Sequence, residues 1–411
     1  MIDKDFLLKK SKTFCMAPWV EVHVTTIGRV FPCCAAETDE YIGDISIGDT
    51  LEESWNSERA KKLRLDILQE NKNPLCIDCY TYENLGRNSE RDWYNIDFLK
   101  YWDRVEMTKD DGELEIFDPP FIDIRFSNVC NFRCRICSPQ YSTAWYKDAK
   151  KLGQLTDEKK IITPTENPQE LWEQVETLIP TIERIHFAGG EPLVMEEHYR
   201  ILKMLLDAGK TDVKITYNTN FADLTFKGES VLDYWKEFKQ VNVGASLDGM
   251  GKRGDYMRKG QDWNKIVENR KLMKKICGQH NFHIVCSVSM MNVLHIPDFY
   301  RWGVDTEFIS PGNISLYYVA YPYLWDIKAL PVDKKQEILD KYNAFIEEYL
   351  RGDEYYQSIR VKEHFRAILN YMLEEDRKDD LKNFKQYILS LDKIRNENFK
   401  EVFPELSDLI E

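Results

Sequence analysis

The sequence predicts an α/β protein whose core is a partial (β/α)6 TIM-like barrel. Between Phe121 and Pro322, six short apolar runs rich in β-branched and aromatic residues alternate with helix-like stretches. Apolar strands separated by helices are typical of a parallel sheet that helices cover. Six such units are too few for a closed eight-stranded barrel. The predicted strands are residues 121–126, 184–188, 213–217, 241–247, 282–288 and 314–318, and the clearest helices between them are 196–208, 263–276 and 296–302.

The N-terminal segment differs in kind from the barrel region. Residues 1–95 contain short β-like pieces, several glycines, five cysteines and one predicted helix over 51–69, and we expect them to form a small α+β domain. Residues 96–118 are rich in acidic side chains and end before two consecutive prolines. Because proline disfavours helix at the preceding residue, we interpret this stretch as a linker.

The C-terminal segment is predicted to be helical. After the barrel domain, residues 119–322, the chain from 323 to 411 is charged and amphipathic with few glycines. Its strongest helical patterns cover 334–350 and 362–373. We expect a helical extension that packs against the barrel or caps it.

Charge and hydropathy limit the partners of the chain. The 411 residues include 56 Lys and Arg against 70 Asp and Glu, which gives a formal net charge of −14. Such a charge repels phosphate backbones and anionic lipids, so we expect neither nucleic acid nor a membrane as a partner. No apolar stretch reaches the roughly 20 residues that span a bilayer. The N-terminal residues are too charged for a secretory signal, and the expected location is the cytoplasm.

Cysteine is the most informative residue type. Eight of the ten cysteines lie in the first third of the chain, in closely spaced sets. In a long chain that is expected to be cytosolic, clustered thiols favour metal binding or redox chemistry over a disulfide framework. Cys277 and Cys286 lie apart from these sets, and we predict both to be core residues.

Three cysteines follow the first predicted strand with the spacing C-x3-C-x2-C: Cys130, Cys134 and Cys137. In β/α barrels, the loop after a strand is where catalytic groups lie. Three thiolates can hold three corners of a four-iron four-sulfur (4Fe–4S) cluster, whose usual complement is four cysteines, and they leave one iron open to another ligand. A zinc site with a remote fourth ligand is the alternative that the spacing leaves open.

This cysteine loop and four later motifs, in the same order along the chain, resemble the radical S-adenosylmethionine (SAM) enzymes. Two positions depart from the family pattern. Phe221 stands where the family usually has the glycine of N-T-N-G, and Ile136 occupies a commonly aromatic position that flanks the adenine. The later motifs are Gly189-Gly190-Glu191-Pro192, Tyr217-Asn218-Thr219-Asn220, Ser246-Leu247-Asp248-Gly249 and Tyr256-Met257-Arg258.

The resemblance implies a catalytic 4Fe–4S cluster on the three cysteines, with SAM bound to the open iron. One electron from the cluster would cleave SAM to a 5′-deoxyadenosyl radical, which abstracts hydrogen from a substrate carbon, and a barrel interior shields such an intermediate from water. A reductase or a flavodoxin-type protein is the implied electron donor. In this reading Gly189, Gly190, Glu191 and Pro192 bind the methionine amino group, Ser246 and Arg258 contact the ribose and carboxylate, and Ile136, Asn218, Asn220 and Asp248 complete the SAM site.

A second cysteine set lies in the N-terminal segment. The pattern Gly28-x4-Cys33 on a hairpin, followed by a C-x2-C pair, resembles the twitch domain, the half-size relative of the SPASM domain. In the family this domain usually follows the barrel, whereas here it precedes it. Since the match selects Cys33, we predict that Cys34 is not a ligand. The resemblance implies an auxiliary iron–sulfur cluster, and a closed tetrahedral zinc site is the alternative for four thiolates. The implied ligands are Cys15, Cys33, Cys76 and Cys79.

Five polar residues on or after strands are further candidates. His23 and His186 are interpreted as core histidines, with a place in the SAM pocket as the alternative for His186. Asp123 and Arg125 alternate with apolar neighbours and share one face of the first barrel strand, where they either form an internal ion pair or position substrate or SAM. Asp248 is a candidate general base.

The sequence therefore predicts a radical SAM enzyme with one catalytic and one auxiliary cluster. Whether it acts as an oxidoreductase, a transferase or an isomerase is left open. Relatives with twitch and SPASM domains favour a peptide or protein side chain as the substrate, and a sugar, nucleotide or other small metabolite is the second candidate. The alternative from another class is a non-catalytic zinc-binding scaffold.

Overall fold

The computed structural model describes residues 3–36, 38–84, 86, 88–155, 160–350 and 356–411. The strands are β1 Glu21–Val24, β2 Arg29–Phe31, β3 Gly43–Asp44, β4 Phe121–Ile124, β5 Arg133–Cys134, β6 Arg184–Phe187, β7 Lys214–Thr219, β8 Thr225–Phe226, β9 Glu229–Ser230, β10 Gln240–Ser246, β11 Arg258–Lys259, β12 Asn281–Val288 and β13 Ile314–Tyr318. The helices are α1 Lys4–Lys9, α2 Leu51–Trp55, α3 Glu58–Leu68, α4 Ile77–Asn84, α5 Glu90–Asp97, α6 Trp102–Glu106, α7 Tyr146–Lys151, α8 Pro168–Leu178, α9 Glu196–Asp207, α10 Val231–Trp235, α11 Gly251–Met257, α12 Trp263–Ile276, α13 Ile296–Asp305, α14 Val332–Glu348, α15 Tyr356–Leu373, α16 Leu381–Arg395 and α17 Phe399–Val402. No helix in these ranges is long and apolar enough to cross a membrane.

The chain forms two compact units. The division does not follow the four consecutive domains that the sequence suggested, and those domain limits stay a prediction. The first unit comprises Met1–Asn128, Ile161–Thr216 and Glu237–Gln240, and the second unit comprises Val129–Lys160, Tyr217–Lys236 and Val241–Glu411.

In the first unit, a strand from the N-terminal segment extends the parallel sheet. Strand β1 pairs in parallel with β4, which pairs in parallel with β6, so that Glu21 lies opposite Phe121 and His23 lies opposite Asp123. Strand β2 continues the sheet as the antiparallel neighbour of β1, and β3 pairs antiparallel with β2. All four residues of β1 and of β4 are buried. Two covered faces are typical of strands in a parallel sheet, and they explain the apolar character of both segments.

In the second unit, three neighbouring strands, β10, β12 and β13, run parallel to one another. Ala245 lies opposite Ile284, which in turn lies opposite Ile314. Every second residue of β12 is buried, and Cys286 on this face is fully buried, as is Cys277 after α12. The prediction that these two cysteines are core residues is confirmed.

The predicted fold class is confirmed. All six predicted barrel strands occur, as β4, β6, β7, β10, β12 and β13, within a few residues of their predicted limits. Helix α12 has the predicted limits, and α9 and α13 differ from prediction only at their C-terminal ends. Six successive β/α units make an α/β protein with the strand count of a partial barrel.

Two predictions for the N-terminal third need correction. The single helix predicted over 51–69 is wrong, because the chain forms α2 and α3 with a break at Asn56 and Ser57. The Ser57 side chain accepts a hydrogen bond from the Ala60 amide at 3.2 Å and so caps the second helix. Within residues 96–118, interpreted as a linker, Trp102 and Val105 of α6 are buried, so this stretch packs into a core.

Replacing Gly28 with Ala is expected to lower the free energy of unfolding by about 2–3 kcal/mol. Gly28 has a φ of +88°, and a Cβ atom there would lie 2.2 Å from the backbone oxygen of Pro164. The control is Gly48→Ala, because Gly48 also has a positive φ (+106°) but has no atom within 4 Å of the added Cβ. Denaturant unfolding under anaerobic conditions measures both, and equal losses would contradict the steric explanation.

Candidate functional site

The loop with Cys130, Cys134 and Cys137 lies in the second unit and is held by backbone contacts. Cys134 belongs to β5 and lies opposite Arg258 of β11. The amide of Cys137 donates to the carbonyl of Cys134 at 3.0 Å, which closes a turn. The indole of Trp145 donates to the same carbonyl at 2.7 Å. These bonds bring the second and third cysteines to one side of a tight turn.

The thiols of this loop lie at the boundary between the interior and solvent. Cys134 is buried, while Cys130 and Cys137 are partly exposed. Burial, together with nearby Cys134, raises the pKa of the Cys137 thiol to about 12. The amide of Phe132 points at the Cys130 sulfur at 3.4 Å, as N–H donors do at cluster ligands. Bound iron would deprotonate these thiols, so the residues present fit a cluster with one side open.

Arg258 and Asp248 form a buried pair beside Cys134. The guanidinium contacts the carboxylate through two nitrogens, at 2.8 and 3.0 Å, and a third approaches the Cys134 sulfur at 3.9 Å. Burial opposes the charged form of Arg258, but Asp248 and Cys134 outweigh it and raise the pKa. Asp248 also accepts the amide of Ser287 at 2.9 Å. Both oxygens of Asp248 thus have hydrogen-bond partners, and its role as a general base stays a prediction.

The remaining predicted SAM contacts of the second unit lie at strand ends. Asn220, after β7, donates to the side-chain oxygen of Asn131 in the cysteine loop at 2.7 Å. Ser246 is the last residue of β10 and is half-buried, as is Ile136, whereas Asn218 is exposed. The structure therefore ties Asn220 to the loop directly. Asn218, Ser246 and Ile136 lie at positions that are at least partly accessible.

Phe221 adopts a left-handed backbone conformation, which glycine adopts more readily, at the position where the family usually has glycine. Its φ is +57°, in the left-handed region, and its side chain is fully buried. The amide of Phe221 donates to the hydroxyl of Thr219 at 2.9 Å, and Asn269 donates to its carbonyl at 2.9 Å. These bonds, with the buried ring, compensate the cost of a left-handed non-glycine residue.

Residues Gly189 to Pro192 lie in the first unit, directly after β6. Gly189 has a φ of +117°, and the amide of Gly190 donates to the carbonyl of Ser127 at 3.2 Å. Glu191 is buried, and its carboxylate accepts the amide of Leu193 at 3.1 Å, which shapes the turn that begins at Pro192. The motif thus forms a rigid turn that leaves strand β6 at its C-terminal end.

The second cysteine set surrounds a cavity in the first unit. Cys33 follows the β1–β2 hairpin, and Cys76 and Cys79 lie at the start of α4. Burial raises the pKa of the Cys76 thiol to about 12, and nearby Cys79 adds to the shift. The structure therefore brings together four thiols that are up to 64 positions apart in the chain. The cavity is lined by Cys15, Cys33, Cys76, Cys79, Glu90 and Arg91, with apolar neighbours.

Arg91, which sequence reasoning missed, anchors this cavity. Its guanidinium pairs with Glu83 at 2.6 Å and donates to the carbonyl of Phe14 at 3.1 Å, which fixes the segment with Cys15. Asn95, one turn later on α5, also donates to that carbonyl at 3.1 Å. In the sequence, the only indication of this role was the i, i+4 spacing of the polar residues Arg91 and Asn95 on a helix.

Cys34 does not line the cavity. Burial raises the pKa of its thiol, and the carboxylates of Glu21, Glu90 and Asp123 also raise it. The position of Cys34 supports the prediction that only Cys33 of this adjacent pair is a ligand.

No group of three or more His, Cys, Asp or Glu side chains is arranged around a single metal ion in the described part of the chain. In a 4Fe–4S cluster each thiolate binds a different iron, so cluster ligands need not converge on one point. The four-thiol cavity and the three-thiol loop are both compatible with that requirement.

A buried polar row crosses β1, β4 and β6 in the first unit. His23 Nδ1 lies 2.9 Å from Asp123 Oδ2, and Arg125 lies 3.6 Å from the same oxygen. Burial lowers the pKa of His186 to about 4. The predicted internal ion pair therefore exists and includes His23. Sequence reasoning missed Glu21, which is fully buried on this row, although a charged residue inside an apolar strand was a visible signal.

Comparison with known proteins agrees with this geometry. A model of the radical SAM superfamily matches residues 124–305, and a model of the SPASM iron–sulfur cluster-binding domain matches residues 15–80. A 7,8-dihydro-6-hydroxymethylpterin dimethyltransferase of Methanocaldococcus jannaschii is 26% identical over 154 residues, 36% of this chain and 27% of the relative. A GTP 3′,8-cyclase of Aliarcobacter butzleri is 26% identical over 133 residues, 32% of this chain and 35% of the relative. The matched segments thus make up only 27% and 35% of the lengths of these two curated relatives.

Among solved structures, anSMEcpe with bound AdoMet and a peptide is 18% identical, with a TM-score of 0.39 over 57% of this chain and 61% of that one. SuiB of Streptococcus suis bound to its precursor peptide SuiA is 14% identical, with a TM-score of 0.38 over 80% of this chain and 68% of that one. Nothing about the substrate of the present chain follows from these similarities. The two family matches, which enclose both cysteine sets, identify the chain as a member of the radical SAM superfamily with a SPASM-type iron–sulfur domain N-terminal to the radical SAM domain.

Proposed function

We propose that this chain is a radical SAM enzyme that cleaves SAM reductively and abstracts hydrogen from its substrate. The three-cysteine loop carries the proposal, because Cys134 lies on a fixed strand beside the buried Arg258–Asp248 pair. Family membership implies a 4Fe–4S cluster and SAM, and the SPASM-type domain implies an auxiliary cluster. When bound, the reduced cluster supplies the electron that splits SAM into methionine and the hydrogen-abstracting 5′-deoxyadenosyl radical.

The residues of the chain position these groups. Cys130, Cys134 and Cys137 are the proposed ligands of the catalytic cluster. Arg258, kept charged by Asp248, offers a cation for a carboxylate at the cluster side of β11. The proposed SAM contacts also include Gly189, Gly190, Glu191, Pro192, Asn218, Asn220, Ser246 and Ile136, in the roles that the family motifs imply.

The auxiliary cluster is proposed to occupy the four-thiol cavity. Cys15, Cys33, Cys76 and Cys79 line it, and Arg91 adds a positive charge at its wall. A cationic neighbour offsets the negative charge of a thiolate-ligated cluster. We propose that the auxiliary cluster site is independent of the catalytic cluster site, because the two cysteine sets lie in different units.

For the substrate we propose a peptide or protein side chain, with a small metabolite as the second candidate. The SPASM-type domain supports the first candidate, because relatives with such domains often modify peptides. The pterin dimethyltransferase and the GTP cyclase among the relatives support the second. A flavodoxin-type protein or a reductase is the proposed electron donor.

Anaerobic reconstitution with iron and sulfide tests the proposed function. We expect about eight irons per chain, a brown protein, and formation of 5′-deoxyadenosine from SAM after reduction with dithionite. Iron analysis, EPR spectroscopy and chromatography of the products measure these outcomes. Stoichiometric zinc with unreacted SAM would instead establish a zinc-binding scaffold.

A further inference from the structure

The C-terminal segment of the chain contacts the back of the three-cysteine loop. Leu391 of α16 packs in a buried cluster with Trp145 and Ala149, and Cys137 packs against the same cluster. Trp145 also donates its indole N–H to the Cys134 carbonyl at 2.7 Å. Although the loop residues are more than 240 positions from Leu391 in sequence, all of them belong to the second unit. The loop and the C-terminal segment therefore share one core.

Arg135 is the strongest link between the two segments. It lies between Cys134 and Cys137, and its side chain is fully buried. Its guanidinium contacts Asp392 at 2.5 Å and Glu397 at 2.6 Å, and its central carbon lies 3.5 Å from the ring centre of Tyr256. A guanidinium with two carboxylates and an aromatic face has little freedom to move. Fixing Arg135 fixes the backbone between two proposed cluster ligands.

Arg395 makes a second link on the other side of Cys134. Its Nε donates to Asp148 at 2.8 Å, and its Nη2 donates to the carbonyl of Arg133 at 2.7 Å. The side chain of Arg133 pairs with Asp148 at 2.8 Å. Both residues that flank Cys134 are thus bound to the C-terminal segment, one through its side chain and one through its backbone.

Asp392 joins these contacts to the end of α16. One of its oxygens accepts Arg135 and the hydroxyl of Tyr256 at 2.6 Å. The other accepts the amide of Phe399 at 2.7 Å. Since each oxygen has a separate partner, a change at position 392 alters the loop and the C-terminal turn together.

We propose that Arg135 and Asp392 are positioning residues that set the reduction potential of the radical SAM cluster. The inference rests on the proposed function. Arg135 carries one positive charge beside two carboxylates, and Lys259 compensates the second of these, Glu397, at 2.7 Å. The four groups are neutral in sum and buried or partly buried. Removal of one charge from such a site acts on the cluster with little screening, whereas an exposed charge is screened by water and salt.

The test compares the midpoint potential of the catalytic cluster, read by EPR-monitored redox titration, in four variants. Asp392→Asn removes a negative charge and is expected to shift the potential in the positive direction. Arg135→Gln removes a positive charge and is expected to shift it in the negative direction. Arg135→Lys restores the charge and is expected to return the potential towards that of the unaltered protein. Lys393→Gln removes an exposed charge on the same helix and serves as the control, with no expected shift.

Iron content is measured in each variant, so that loss of the cluster is distinguished from a change of potential. If Asp392→Asn and Arg135→Gln shift the potential in the same direction, or by no more than Lys393→Gln, the proposal is overturned. Tyr256→Phe keeps Arg135 and both carboxylates, and a large shift in that variant would also overturn it. If the unaltered protein neither holds an EPR-active cluster nor cleaves SAM, it is the proposed function that fails.

Discussion

Replacing Cys134 with Ala is expected to abolish reductive cleavage of SAM. Three thiolates are the minimum that the open-iron arrangement requires, and this substitution removes the one that lies on a strand and contacts Arg258. Loss of a group that merely supports a ligand costs 10–100-fold in metal affinity or activity, so loss of a ligand itself is expected to cost at least about 100-fold. Chromatographic detection of 5′-deoxyadenosine under dithionite reduction measures the effect.

Cys277→Ala is the matched control. Cys277 is also fully buried in the second unit, and its thiol donates to the carbonyl of Leu232 at 3.6 Å, with no role in either proposed cluster site. We expect this variant to keep its iron and its activity. Cys130→Ala and Cys137→Ala are expected to behave like Cys134→Ala. Undiminished cleavage in any of the three loop variants would contradict the assignment of the open-iron site.

Substitutions at the adjacent residues Cys33 and Cys34 are expected to differ strongly in their effect on iron content. Cys33→Ala is expected to remove about four of about eight irons, because Cys33 lines the four-thiol cavity. Cys34→Ala is expected to keep all of the iron, because Cys34 does not line that cavity. Two substitutions of the same residue type at neighbouring positions thus have opposite expected outcomes. Iron and sulfide analysis after anaerobic reconstitution measures the difference.

SAM cleavage provides an independent measurement on the same variants. Cys33→Ala, like Cys76→Ala and Cys79→Ala, is expected to retain detectable formation of 5′-deoxyadenosine, uncoupled from product, because the catalytic loop lies in the other unit. If Cys76→Ala also loses the catalytic cluster, the two sites are not independent. If Cys34→Ala loses iron to the same extent as Cys33→Ala, the ligand assignment is wrong.

Local sequence pattern was sufficient for the strands and for the grouping of Cys130, Cys134 and Cys137. A strand buried on both faces needs a continuous apolar run, which is visible within five or six residues. A short loop brings its cysteines together whatever the rest of the chain does. Local pattern gave the wrong prediction at Asn56 and Ser57. There the Ser57 side chain caps a new helix, so that one continuous helical pattern forms two helices.

By itself, the sequence determined the α/β class, the six strands and the grouping of Cys130, Cys134 and Cys137, because each of these depends on residues close together in the chain. Only the tertiary structure decided that β1 pairs in parallel with β4, that Cys15 shares a cavity with Cys76, and that α16 holds Arg135. These contacts join segments separated by tens to hundreds of residues. Their free energy comes from burial and charge pairing that exist only once the chain has folded, and no local periodicity encodes the partner.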